Sequence, residues 1–249
     1  LPPDRDSPVM PSTVRAFLLR PRAFFDRRAD RLSGFEGAVV AAVLSVLLTG
    51  VLAVALRLFA DQFTGTTTVD NPAYPGDVLC EDGGVGEMTA YGCEEPPTVS
   101  REMSSLLWEE AAGALPAVFV GLLVLWVGLA VALYVGARVA GGSGGFGETL
   151  AVTAWGLVPT LLVAVLAGAT LVTLAAQADL SASSPEALLA EVRGFQSGVS
   201  GLTFLLWQIG GAAWQAVVWA GGLRVVHEIR RRRAVVVAVL VAVVPVLLS

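Results

Sequence analysis

The chain has 249 residues, of which 55% are apolar types and only 15% are charged, and its mean hydropathy is +0.72. Soluble domains carry roughly 25% charged residues, so this balance excludes disordered, collagen-like and disulfide-dense scaffolds and indicates a polytopic membrane protein. The net charge is −5 and every one of the 16 basic residues is Arg, with no basic footprint for nucleic acid.

The first 36 residues form a cytoplasmic segment. Ser12 and Thr13 are candidate helix caps. Val14, Phe17, Leu18, Phe24 and Phe25 follow at approximate helical spacing, with Pro21 as a kink. Arg15, Arg20, Arg22, Arg27 and Arg28 take the remaining positions. The pattern predicts an interfacial helix on the inner leaflet, with aromatics in the acyl boundary and Arg on anionic headgroups. A second reading, compatible with the first, packs this segment on the bundle as an orientation signal. No cleavable signal peptide is expected, because the first apolar stretch begins late and no Ala-x-Ala site follows it.

Residues 37–249 read as a five-span, all-α membrane domain. A helix needs about 20 apolar residues to cross ~30 Å of hydrocarbon. The stretches are Ala38 to Leu56, Ala111 to Ala137 with Pro116, Thr149 to Ala176 with Pro159, Leu202 to Leu223, and Ala234 to Leu248. The last covers roughly 23 Å and is expected to span with local thinning or Arg snorkelling, with a half-span as the alternative. A cytoplasmic N-terminus places thirteen Arg inside and only Arg57, Arg101 and Arg193 outside. The C-terminus then lies outside, and the protein is a multi-pass protein of the cell membrane.

The exterior loop 61–110 is acidic and contains both cysteines. A Cys80–Cys93 disulfide is expected there, closing a 14-residue loop for about 3 kcal/mol in the chain-entropy model. Asp77, Glu81, Asp82, Glu87, Glu94 and Glu95 do not follow the EF-hand spacing and read as acidic solvation. Zinc is disfavoured because no His or further Cys is close by. No metal and no cofactor is expected.

The middles of the spans contain no ionisable side chain, which argues against a proton-coupled pump. Gln208 and Gln215 are seven apart and share a helix face among small residues. They are expected to act as interhelical polar glue, with a substrate-lining role as the alternative.

The loop Gly141-Gly142-Ser143-Gly144-Gly145-Phe146-Gly147-Glu148 matches two catalytic patterns literally. Both G-x-S-x-G and G-x-G-x-x-G need a preceding strand, and here a membrane helix precedes. A Ser143–His227 nucleophile pair is the remaining enzymatic arrangement, and an ordinary interface His is preferred. The glycines read better as a tight helix-to-helix connection, with Glu148 favoured by the dipole of the helix that follows. No catalytic residue is assigned.

This loop, followed by Thr149-Leu150, Trp155 and Pro159, resembles the Yip family of Rab-GTPase-interacting membrane proteins. Leu19-Arg20-Pro21-Arg22-Ala23-Phe24-Phe25 is similar to the segment ahead of the first span in prokaryotic members. Trp155 stands where Tyr is commoner. The resemblance implies a non-enzymatic scaffold that organises the bilayer, with its anionic lipids, or partner proteins. A permease or channel component is the alternative.

Overall fold

The computed structural model describes residues 17, 20–77, 80, 93–177 and 198–247. Ser12, Thr13, Val14, Arg15, Leu18, Leu19, Glu81, Asp82, Glu87, Arg193 and Leu248 lie outside the described residues, so the expectations resting on them do too. In chain order the elements are α1 (Pro21–Asp26), a single 3₁₀ turn (Ala29–Arg31), α2 (Gly34–Ala60), β1 (Thr66–Asp70), β2 (Thr98–Glu102), α3 (Met103–Val139), α4 (Phe146–Gly156), α5 (Val158–Gln177), α6 (Gly198–Val226) and α7 (Arg231–Leu247).

The fold is predominantly helical. Four stretches are long and apolar enough to cross a membrane: Gly34–Ala60, Met103–Val139, Phe146–Gln177 and Gly201–Val226. Each contains one predicted span and extends past it, because the polar residues flanking an apolar core continue the same backbone hydrogen bonding. The 17-residue α7 is shorter than these four. Predicted span three is not one straight helix. It breaks at Leu157 into α4 and α5, and Pro159 is fully buried just after the break. Proline has no N–H to donate and its ring crowds the carbonyl four residues back, so an uninterrupted helix is disfavoured there.

The chain divides into two compact units. The first comprises Leu1–Leu52, Leu115–Ala169 and Val199–Ser249, and the second Ala53–Ala114 and Thr170–Gly198.

In the first unit α4 is the central element. Thr149, Ala151, Val152, Thr153, Ala154 and Gly156 are all buried. Backbone-to-backbone approach makes this possible. A Cβ on Gly37 of α2 would stand 2.7 Å from the Ala151 nitrogen. A Cβ on Gly156 would occupy the space of the Trp219 indole. Trp219 is wholly buried and donates from Nε1 to the Thr153 carbonyl at 3.2 Å. Trp126 of α3 likewise donates to the Leu150 carbonyl at 3.1 Å. Large apolar side chains point the other way: Val39, Val43, Val124 and Leu240 are among many that are exposed. An inward face of small residues and an outward face of Val and Leu suits helices solvated by hydrocarbon.

The second unit modifies the all-α expectation. β1 and β2 pair antiparallel, from Thr66 opposite Glu102 to Asp70 opposite Thr98. The expected loop therefore ends at β2, and its last residues, Met103 to Glu110, are the first turns of α3. Thr66–Val69 and Thr98–Val99 supply β-branched residues at high density. Both strands alternate between exposed and half-buried positions, so no apolar alternation advertises them. The Asn71 side chain donates to the Pro96 carbonyl at 2.8 Å and its backbone N–H to the Pro97 carbonyl at 2.9 Å. The Cys80–Cys93 disulfide closes the intervening loop. Phe63, Met103 and Ala175 form a small apolar cluster.

Candidate functional site

The family-like loop sits where five helix ends meet in the first unit. Gly34 at the start of α2 abuts Gly147 at the start of α4. The Ser143 N–H donates to the His227 carbonyl, just past the end of α6, at 3.3 Å. Arg233 in the first turn of α7 donates to the Ala140 carbonyl, just past the end of α3, at 2.7 Å.

The glycines are needed for different reasons. Gly141 has φ +88°, the left-handed region that side chains disfavour. At Gly142 a Cβ would lie 2.8 Å from the His227 Cβ and 2.9 Å from the Ala137 oxygen. Gly144 runs directly against the Val226 backbone, and Gly145 is the N-cap of α4, close against the Glu148 carboxylate. Phe146 then stacks edge-on against Tyr134 at 5.5 Å. Glu148 falls in the first turn of α4, where exposed N–H groups favour a carboxylate.

His227 is the centre of this junction and is 1% exposed. Its Nε2 lies 2.8 Å from the Thr149 hydroxyl, which donates its single proton to the Gly145 carbonyl at 2.8 Å. Nε2 is therefore the donor to Thr149. Nδ1 is buried without a partner among the described residues. Burial, and then the nearby Arg138 guanidinium, hold the imidazole below its ordinary pKa, partly opposed by Glu148. Nδ1 makes no hydrogen bond to Ser143, whose side chain is exposed on the loop, so the two are not joined as a nucleophile and base. The arrangement is a structural latch joining α4 to the α6–α7 connection.

The N-terminal segment packs beside it. Phe17, Phe24 and Phe25 are 5%, 2% and 0% exposed. Phe24 meets Trp155 at 5.0 Å and Phe17 meets it at 5.8 Å, while Phe25 lies under Gly222. Of the two expectations for these rings, the structure has the packed one: they sit in the protein core and not on an outward face. Phe17 and Phe24 thus pack on Trp155 and on each other, and Phe25 fills the space over Gly222. The Arg28 guanidinium lies 5.2 Å from the Phe24 ring centroid and 5.0 Å from that of Trp155. It pairs with Glu36 at 3.1 Å, and the Trp155 Nε1 donates to the same carboxylate oxygen at 3.1 Å. Arg28 is thus an internal tie. Arg20, Arg22 and Arg27 are exposed, as are Arg31, Arg138 and Arg230 to Arg233.

Sequence reasoning missed the Thr149–His227 and Arg28–Glu36–Trp155 contacts. Partners 78 and 119 residues apart leave no local spacing to read. The chain's single His beside a glycine-rich loop partner was the only available hint.

Gln208 and Gln215 line a crevice of about 180 Å³ together with Thr160, Val163, Gly211, Ala212 and Ala242. The shared face is as expected, but the two amides differ. Gln208 is exposed at the mouth, whereas Gln215 is 8% exposed and makes no side-chain hydrogen bond among the described residues. Gln215 therefore makes no interhelical bond among the described residues, and α5 and α7 line the crevice beside it with Thr160, Val163 and Ala242. Among the described residues no group of three or more His, Cys, Asp or Glu side chains could hold a metal ion.

The family model described as "Yip1 domain" matches residues 15–249 of the chain. No curated protein and no solved structure matches it.

Proposed function

The chain belongs to the Yip1 domain family, and from that premise we propose that it is a non-enzymatic, multi-pass scaffold of the cell membrane that organises anionic lipids or partner proteins at its Arg-rich end. The observation that carries this reading is the separation of charge between the two units. Arg20, Arg22, Arg27, Arg31, Arg138 and Arg230 to Arg233 are exposed in the first unit, against exposed Asp26, Asp30 and Glu228. In the second unit the described Arg are only Arg57 and Arg101, against Asp61, Asp70, Asp77, Glu94, Glu95, Glu102, Glu109 and Glu110. Arg near the ends of spans favours the cytoplasmic side, and a disulfide persists in an oxidising compartment; on those separate grounds the reading takes the Arg-rich helix ends as cytosolic and Cys80 and Cys93 as exterior. The packed Phe24, Phe25 and Trp155 cluster fixes the N-terminal Arg side chains on the same rim, where each contributes about 1 kcal/mol near an anionic surface.

α7 is the fifth span in this reading. Val235, Val236, Val239 and Leu240 are exposed on one side and Ala234, Ala238 and Ala242 are buried on the other. An outward apolar stripe on a helix entered through Arg suits a short span with snorkelling guanidinium groups.

Two measurements test the proposal on the full chain. An impermeant maleimide, applied after mild reduction of intact cells, is expected to label Cys80 and Cys93 without permeabilisation. Labelling only after permeabilisation reverses the topology. Purified protein is expected to retain anionic phospholipid in preference to neutral lipid, and replacing Arg230 to Arg233 with Gln is expected to reduce that preference. An unchanged preference removes the basic rim from the function.

A further inference from the structure

The crevice that contains Gln215 has no role in a scaffold. Its depth follows from counting along three helices. Gln215 is eleven residues before the end of α6 and Ala242 eleven residues after the start of α7. At 1.5 Å per residue both lie about 16 Å from the Arg-bearing junction. Thr160 is fourteen residues from the start of α4, at most about 21 Å because the helix breaks at Leu157. The site is thus close to the middle of a ~30 Å hydrocarbon layer. At that depth water is scarce, and a primary amide without a partner is costly. Gln215 is more than nine-tenths buried, borders the crevice, and has no such partner among the described residues.

We propose that the crevice binds the ring of a lipid-soluble carbonyl compound, the head-group chemistry of an isoprenoid quinone, with its tail leaving past Gln208 into the bilayer. The argument is one of size, depth and donors. A dry cavity of roughly 150 Å³ accepts a benzene ring, so about 180 Å³ accepts a ring with small substituents. The walls from Val163, Gly211, Ala212 and Ala242 are apolar and suit the ring faces. The Gln215 amide presents two N–H donors and the Thr160 hydroxyl a third from another helix, which matches carbonyl oxygens on different edges of one ring. Other occupants fit less well. No charged side chain lines the crevice, so a phosphate is not recognised. A phospholipid's ester groups lie at the bilayer interface, far above Gln215. A bare acyl chain leaves the amide unpaired. No electron transfer is part of the proposal; the site binds and holds the ring.

The test uses the full chain in nanodiscs, titrated with decylubiquinone and read by quenching of tryptophan fluorescence. Trp214 precedes Gln215 directly and Trp207 precedes Gln208. Saturable binding of one molecule per chain is expected, and Gln215→Leu is expected to weaken it about tenfold, the loss of one buried hydrogen bond. Ala242→Leu fills the crevice from α7, leaves Gln215 in place, and is expected to abolish saturation. Decylbenzene, which has the ring and tail but no carbonyl, is expected to compete poorly. Absence of saturable binding to the unmodified chain overturns the proposal. So does full affinity in a folded Gln215→Leu or Ala242→Leu protein, or competition by decylbenzene equal to that of the quinone. A chain that binds no quinone but crosslinks to its own copy through Ala212→Cys has a second copy at the crevice, which also overturns it.

Discussion

The junction around α4 and the ribbon that carries the disulfide solve the same problem by opposite means. The junction holds its helices together with almost no covalent or ionic reinforcement. Gly37 lies on the Ala151 backbone, Gly156 on Trp219, Gly222 on Val152, and the polar contacts run mostly from indoles, an imidazole or Arg233 to backbone and hydroxyl oxygens, with the Glu36 carboxylate, held by Arg28 and Trp155, as the ionic exception. The ribbon has a small apolar cluster of Phe63, Met103 and Ala175 and depends instead on the Cys80–Cys93 bond, the Asn71 hydrogen bonds and the doubly bonded Arg101–Glu109 pair. Hydrocarbon supplies no hydrophobic drive between helices, so order comes from close van der Waals approach and satisfied polar groups. A short polar segment in water buries too little apolar surface, so cross-links replace a core.

The largest effects should come from breaking the close approach in the junction. Gly37→Leu or Gly156→Leu drives a side chain into backbone or into Trp219, neither of which can move aside. Either is expected to cost about 3 kcal/mol or more, at or beyond the upper end of ordinary overpacking. Thermal unfolding of the detergent-solubilised protein should show a large loss of stability or no folded protein. A near-normal transition in both variants would mean that these glycines do not set the helix spacing.

Breaking the cross-link should come next and should stay local. Cys80→Ser with Cys93→Ser is expected to cost about 3 kcal/mol in the ribbon, the chain-entropy value for a loop of this length. Hydrogen exchange should rise in β1 and β2 and remain unchanged in α4. Faster exchange in α4 would erase the distinction between the two regions.

The aromatic anchor is a smaller test. Trp155→Leu removes two ring contacts, the stacking surface for Arg28 and the hydrogen bond to Glu36. A loss of about 2 kcal/mol is expected, with faster exchange over residues 20–32. Unaltered exchange there would show that Trp155 is not what seats the N-terminal segment.

His227 supplies the smallest effect and a pH signature. Its folded pKa lies below the ordinary imidazole value, so the unfolded chain binds the extra proton first. The latch therefore contributes in full above about pH 6.5 and weakens as pH falls from there toward the depressed folded value. His227→Gln should flatten that part of the stability-against-pH curve, while Ser143→Ala should leave it unchanged. Sensitivity to Ser143→Ala would revive a role for the serine hydroxyl.

Much of the fold was legible because its signals are local. Runs such as Ala38 to Leu56 announce a membrane helix through length and composition alone, and Arg placement points to an orientation. Pro159 was visible inside the third apolar run, but no break was read from it, and the division into α4 and α5 required the backbone. The ribbon was illegible because Thr-rich, solvent-facing strands lack apolar alternation. The fate of Phe17, Phe24 and Phe25 was ambiguous for a different reason. An aromatic face suits both lipid and protein, and only the surface that meets it, Trp155 and Gly222, shows which one receives it.

Composition and periodicity by themselves determined that this is a helical membrane protein, where its apolar rods run, and that two cysteines in an acidic loop are suited to pair. Those properties follow from transfer free energies summed over neighbouring residues. The tertiary structure alone decided that α4 is the buried hub, that His227 closes on Thr149, and that Gln215 faces a crevice. Each depends on residues brought together from remote parts of the chain, and helix docking is governed by shape at the scale of a single Cβ.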